Sequence, residues 1–418
     1  MVQTMNRRNF IKTAAATGIL SSAALGCGKT KIVQADFSEL DKVMNQPVLK
    51  KSLFHNLVII ESVKLLKNRE TFIVEVISKD GAKGCAISNN MHMKYLYPIL
   101  TGKVAPFFVG KDARELESLV DGVYVTHSNY KYQGLAFWVC VASVEFAILD
   151  LLGRVAGKSC GELLGGVHHQ KIAVYRANNY RGKTASESVE RIVNNVTKTG
   201  AKAAKIKIGG RMSKNKDYPP GRTEKLIPLV RKKLGDDMVL YADSNGSYDV
   251  PNSVRVGKIL QDYNYRFFEE PCPFDHYDET KAIADALEID IAGGEVESSL
   301  WAFRWLIGHD AHQVVQPDIF YFGGMIRAMR VARMAATKNI PCTPHISGSG
   351  LGYLYMMQFV SAVANAGPYH EFKGFNKNIP FQCDTSDFKI IDGKIKVPTG
   401  PGMGIELNPQ FIKKAREV

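Results

Sequence analysis

One interval governs the second half of this chain. Asp243, Glu269 and Glu295 follow one another at 26 residues, Asp318 comes 23 later, His345 another 27 and Glu371 another 26. Each closes or follows a short apolar run, and helical stretches separate those runs. A strand of about five residues, a helix and two connections together occupy about 25 residues, so the interval is that of one βα unit. Eight strand candidates stand out: Ile172–Arg176, Ala204–Ile208, Val239–Asp243, Phe267–Glu269, Ile291–Gly294, Val314–Gln316, Pro341–Pro344 and Tyr369–Phe372. Eight parallel strands alternating with helices favour a closed barrel over an open sheet, and roughly 250 residues is the usual length of that fold. The sequence therefore predicts an α/β chain with a (β/α)8-type barrel over 167–418. Its reactive residues would sit at the C-terminal strand ends, where barrel active sites are built.

The residues ahead of the repeat have a different texture. Thr71–Ser78 is β-rich and ends at Lys79-Asp80-Gly81, the pattern of an antiparallel hairpin. Phe137–Val155 carries apolar residues at helical spacing with Asp150 near its end, and Gly161, Gly165 and Gly166 close the segment. This marks a mixed unit over 56–166. Residues 28–55 are polar and lysine-dotted and read as a linker.

Residues 1–27 read as an export signal. Arg7-Arg8-Asn9-Phe10-Ile11-Lys12 is a twin-arginine motif, and the uncharged run Thr13–Gly26 is shorter than the about 20 apolar residues of a membrane span. Cys27, after Ala24-Leu25-Gly26, resembles a lipoprotein box and marks a site for a lipid anchor. The expected location is the periplasm, free or tethered to the membrane. Removing the signal lowers the formal charge from +13 to +10. What remains is spread along the chain. The one basic triplet, Arg231-Lys232-Lys233, lies in a helical stretch without interleaved aromatics, which speaks against nucleic acid as a partner. None of the seven cysteines forms a CxxC pair, and their apolar settings predict buried free thiols.

The residue types at the strand ends point to chemistry. Asp243, Glu269 and Glu295 would aim three carboxylates at one point, an arrangement that repels itself unless a hard cation such as Mg²⁺ occupies it. Glu270 is next to Glu269, and strand alternation would turn only one of them inward. Lys205 and Lys207 are two apart in an apolar run, so both face one side. Like-charge proximity and burial would lower the pKa of one and make it a usable base. His345, preceded by Asp318 one unit earlier, could form a dyad in which the carboxylate orients the imidazole.

Taken in order, these residues resemble the enolase superfamily, in its mandelate racemase-like branch. The resemblance runs from the 56–166 unit through KIK at 205–207, DSN at 243–245, EEP at 269–271 and GGE at 293–295. It continues with QPD at 316–318, PH at 344–345, HEF at 370–372 and PTGPGMGIEL at 398–407. It implies a modified TIM barrel whose mouth is covered by an N-terminal α+β capping domain, with the C-terminal segment returning to the cap and Asn89–Lys94 as a specificity loop. By the same resemblance Asp243, Glu269 and Glu295 would bind Mg²⁺. Lys207 would be the base on one face, tuned by Lys205, with His345 and Asp318 the acid/base pair on the other. Glu371 would hydrogen-bond a developing enolate oxygen, and Asn245 would help hold substrate. The implied reaction is abstraction of the proton α to a carboxylate, favoured here as dehydration of an acid sugar to a 2-keto-3-deoxy acid. A racemase, epimerase or cycloisomerase is the alternative, although lactonising and dipeptide-epimerising relatives generally carry lysine at the position of His345. The resemblance also implies a homo-oligomer. A non-enzyme, an exported lipoprotein that binds acid sugars, would be expected to have lost at least one ligand or base.

Overall fold

The computed structural model describes residues 36–347, 350–374 and 379–418. The export-signal and lipid-anchor readings, on residues 1–27, and the first part of the expected linker lie outside these. Asp36–Val418 is one compact unit.

The first part of that unit is an antiparallel sheet on a long helix. Strands β1 (Ile60–Asn68), β2 (Thr71–Ser78) and β3 (Lys83–Ile87) form a meander. The β2–β3 turn is the one the Lys79-Asp80-Gly81 signal predicts, closed by Ser78 N–H on the Ala82 carbonyl at 2.9 Å. The helix Leu135–Ala156 is long and apolar enough to cross a membrane, but 89% of its most apolar window is buried inside the protein. It is a core helix. Its two internal acids reach across the interface to neighbouring elements. Glu145 accepts the N–H groups of Met325 (2.6 Å) and Ile326 (2.9 Å) and so caps the helix Met325–Thr337. Asp150 accepts from Cys85 N–H and Met403 N–H, both at 2.9 Å, and from Arg154.

Strand β3 meets the long helix so closely that Gly84 has no room for a side chain. A Cβ there would lie 2.2 Å from the Ala147 carbonyl oxygen and 2.3 Å from Leu151 N, both backbone atoms that cannot swing away. Gly84→Ala is expected to cost about 3 kcal/mol of stability, by analogy with overpacked cores. The check is a lowered urea midpoint at unchanged slope.

The linker expectation fails for residues 36–55. Ser38–Met44 is a helix packed on Met325–Thr337, and Leu40, Met44, Val48 and Leu49 are buried. Arg304 holds Asp41 through two bonds of 2.5 and 2.8 Å, and Glu117 accepts the N–H groups of Val48 and Leu49. The apolar residues at 40, 44 and 48 carry a helix-like period that the intervening polar residues obscure.

The barrel strands are β4 (Lys171–Ala177), β5 (Ala203–Lys207), β6 (Val239–Asp243), β7 (Phe267–Glu269), β8 (Asp290–Gly293), β9 (Val314–Val315) and β10 (His370–Phe372). They pair in parallel in the order β10-β4-β5-β6-β7-β8-β9. The expected strand at Pro341–Pro344 is reduced to single bridges at Cys342, because the two prolines have no N–H to give a ladder. That segment still bridges β9 to the residues ahead of β10. Thr343 N–H bonds the Val315 carbonyl (2.9 Å) on one side, and Cys342 N–H bonds the Asn365 carbonyl (2.9 Å) on the other. Tyr175, Tyr241, Phe267, Ala203 and Val314 fill the interior below the site, with Tyr241 and Phe267 stacked at 3.8 Å. Of the short late strands β11 (Phe381–Gln382), β12 (Lys394–Lys396), β13 (Glu406–Leu407) and β14 (Arg416–Glu417), β14 returns to pair with β1.

Candidate active site

Strand alternation selects the residues that face the barrel axis. On β5, Ala204 and Ile206 pack outward against the helices, while Ala203, Lys205 and Lys207 point inward. The same alternation turns Tyr241 and Asp243 of β6 inward, and Phe267 and Glu269 of β7. The apolar residue of each pair fills the floor and the charged one stands at the mouth.

Lys205 is clamped in that floor. Its Nζ lies 2.6 and 2.8 Å from the two Glu269 carboxylate oxygens, 3.4 Å from Glu371 Oε1, 3.8 Å from Asp243 Oδ2 and 5.3 Å from the Tyr175 ring centre. Burial opposes its charge, but Glu269, Glu371, Tyr175 and Asp243 outweigh that and hold its pKa well above the ordinary lysine value. Lys205 is thus held as an ammonium by the acids around it, which outnumber the like charge of Lys207. Lys207 is differently placed. Its Nζ pairs with Asp243 and donates to Asn245 Oδ1 at 3.2 Å. Burial also opposes the Asp243 charge, yet Lys207 and Lys205 hold its pKa below the usual carboxylate range.

Asp243, Glu269 and Glu295 present ligand atoms within 4.8 Å of one another. Glu295 lies two residues beyond β8, and its buried Oε2 has no hydrogen-bond partner among the described residues. An all-oxygen carboxylate set with one buried oxygen that accepts no hydrogen bond fits a hard divalent cation. Glu270 joins the cluster, contrary to the alternation argument. Its φ of +43° breaks the strand after Glu269 and brings its carboxylate to Asn245 Nδ2 at 3.2 Å. Burial, then Glu295, Asp243 and Glu269, push its pKa well above the usual carboxylate range. Asn245, itself at φ +46°, ties Glu270 to Asp243 through its side chain and its N–H.

Across the mouth, His345 Nδ1 is 2.8 Å from Asp318 Oδ2. Asp318 is fixed by the N–H groups of Phe320, Tyr321 and Ser347 and by the Ser347 hydroxyl, so it can set the ring's tautomer and angle. The other ring nitrogen, Nε2, faces Glu295 Oε2 (3.5 Å), Glu371 Oε2 (3.6 Å) and Lys373 Nζ (3.4 Å). Burial lowers the His345 pKa, but Glu295, Glu371 and Asp318 carry the balance upward against Lys373. Glu371 is buried, and Lys205, Lys373, His345 and Lys207 nevertheless hold it well below the usual range.

All nine residues singled out in the sequence thus meet at one end of the barrel. Three more belong with them. Gln316 donates to Glu269 Oε2 at 2.8 Å, Arg211 reaches Asn245 Oδ1 at 3.5 Å, and Lys373 stands between His345 and Glu371. The spacing that picks out Lys205 and Lys207 also applies to Glu371 and Lys373. Asn89–Lys94, expected as a loop, is mostly the first turn of the helix Asn90–Ile99. It still touches the barrel mouth, through Asn89 Nδ2 on Ser347 Oγ (2.9 Å) and His92 on Tyr321 (3.0 Å).

The profile of the family described as enolase C-terminal domain-like matches residues 187–411. The arabinonate dehydratase of Saccharolobus solfataricus is 27% identical over 299 residues, spanning 72% of this chain and 78% of that protein. A solved candidate racemase from Roseobacter denitrificans is 32% identical, covers 86% of this chain and 99% of its own, and superposes with a TM-score of 0.79. A mandelate racemase/muconate lactonizing protein from Paracoccus denitrificans, solved with magnesium, is 25% identical over 86% of this chain and 99% of its own, with a TM-score of 0.76. The chain is an enzyme of the enolase superfamily, in its mandelate racemase/muconate lactonizing enzyme-like branch.

Proposed function

We propose that this enzyme removes the α-proton of an acid sugar in a Mg²⁺-dependent reaction and dehydrates it to a 2-keto-3-deoxy acid. The observation that carries the reading is the placement of Lys207 and the His345–Asp318 pair on opposite sides of the three-carboxylate cluster. Asp243, Glu269 and Glu295 are the residues that would hold the ion, which when bound supplies the positive charge an enediolate needs. Lys207 takes the α-proton, with Asn245 fixing its ammonium. Lys205, pinned to Glu269, keeps a second positive charge beneath the reacting carbon. His345, steered by Asp318, delivers a proton to the β-hydroxyl, and water leaves.

The dehydratase among the relatives supports this outcome. The candidate racemase supports the second reading, in which His345 returns a proton to the α-carbon from the other face. A panel of aldonic and uronic acids assayed for 2-keto acid tests the proposal. Product should form with Mg²⁺ and stop on chelation, and Glu295→Gln should weaken Mg²⁺ binding by calorimetry at least tenfold. Formation of 2-keto acid unaffected by chelation contradicts the metal assignment. A binding protein without activity would be expected to lack a ligand or base, and all are present.

Three further features belong to the proposal. The twin-arginine motif supports export and Cys27 supports a lipid tether. Uncleaved protein in the cytoplasmic fraction contradicts the first, and unchanged membrane association of Cys27→Ser contradicts the second. The branch also supports a homo-oligomer, and light scattering at the mass of one chain would contradict it.

A further inference from the structure

Lys373 stands where a second hydrogen-bond donor would meet the substrate on the His345 side. It lies one residue past β10, and its side chain is 22% exposed, so it borders the mouth rather than the floor. Its Nζ donates to the Ile346 carbonyl at 2.5 Å and lies 3.4 Å from both Glu371 Oε2 and His345 Nε2. An ammonium has three hydrogens and no lone pair. Two are engaged by Ile346 and Glu371, which leaves one to donate to an oxygen placed between Lys373 and His345. Asp318 occupies Nδ1 of that ring, so Nε2 is the nitrogen that can act. Two donors 3.4 Å apart can both reach a single oxygen at ordinary hydrogen-bond distance. A carbon receiving a proton has no use for the second donor.

We propose that Lys373 is a substrate-contacting residue that selects acids carrying a β-oxygen, by hydrogen-bonding the hydroxyl that departs. This rests on the α-proton-abstraction reading above and deepens it to a substrate class, the 2,3-dihydroxy acids. The step balances. Lys207 takes the α-proton and its bonding pair enters the enolate. The Cβ–O bond breaks with its pair on oxygen, and the His345 Nε2 proton completes water. The enol left behind takes a proton at Cβ to become the 2-keto-3-deoxy acid. Lys373 keeps its own proton throughout and stabilises the oxygen as negative charge gathers on it.

The test compares two reactions of one enzyme. D-Gluconate, D-galactonate, D-arabinonate and L-rhamnonate are assayed for dehydration, and their 3-deoxy counterparts for α-hydrogen exchange in D₂O, with Mg²⁺ throughout. Lys373→Met should lower kcat/KM for dehydration about 10- to 100-fold. That loss should exceed its effect on exchange of the 3-deoxy acids at least tenfold, and Lys373→Arg should recover much of it. Unchanged Mg²⁺ affinity of the variant shows that the site has kept its shape. Equal losses in both reactions, or no loss in either, overturn the role. A wild-type enzyme that exchanges 3-deoxy and 3-hydroxy acids alike without dehydrating any also overturns it, while leaving α-proton abstraction standing. A wild type that neither exchanges nor dehydrates any of these acids removes both.

Discussion

Lys207→Ala is expected to lose roughly 10²- to 10⁴-fold in kcat for α-proton abstraction, the range for removing a positioned general base. The loss should be that large because no neighbour can take over. Lys205 is bound by both oxygens of Glu269 beneath the site and cannot rise to the substrate without abandoning a buried carboxylate. Arg211, the other cation near Asn245, carries a guanidinium, which has donors and no lone pair to take a proton. Asp243 loses a partner in this variant but keeps Lys205 within 3.8 Å, so the cluster retains a cation. Single-turnover exchange of substrate hydrogen in D₂O is the direct measurement, with thermal unfolding as a control for fold. Exchange within tenfold of wild type would show that Lys207 is not the base.

His345→Asn is expected to separate two events that the wild type performs together. Asparagine can still donate to Asp318, but it has no proton to deliver at the position of Nε2. Dehydration should fall roughly 10²- to 10⁴-fold, while α-exchange through Lys207 persists. The pH profile adds a second readout. His345 is an acid only while protonated, and although burial pulls its pKa down, Glu295, Glu371 and Asp318 hold it above the ordinary 6.5. Dehydration should therefore decline as pH rises and His345 loses its proton, and that limb should be missing from the residual exchange of His345→Asn. Loss of exchange and dehydration in equal measure would place His345 in the first step instead.

The barrel was legible because its strands are short, apolar and evenly spaced, and because one inward residue per unit is charged. That pattern located Asp243, Glu269, Glu295, His345 and Glu371 without any knowledge of contacts. It failed where local backbone departs from regular strand. Glu270 escapes the alternation rule because a left-handed residue follows β7, and nothing in EEP announces that turn. The Pro341–Pro344 strand thins to bridges because proline withholds its N–H. Charge environments were the least legible. Two lysines at i and i+2 suggest mutual repulsion, but the sign of the Lys205 shift depends on Glu269 and Glu371, which arrive from strands 64 and 166 residues away. The Ser38–Met44 helix was missed for a related reason, since its partners Arg304 and the helix Met325–Thr337 come from the far end of the chain.

The central claim is that Lys207, facing a metal-binding carboxylate cluster, removes the α-proton of an acid sugar. Proton NMR in D₂O with Mg²⁺, run on a panel of aldonic and uronic acids, tests it most directly. The α-hydrogen signal is expected to disappear for at least one acid, with a 2-keto-3-deoxy product carrying deuterium at C3 and no reaction in Lys207→Ala. Recovery of every acid with its α-hydrogen intact would contradict it.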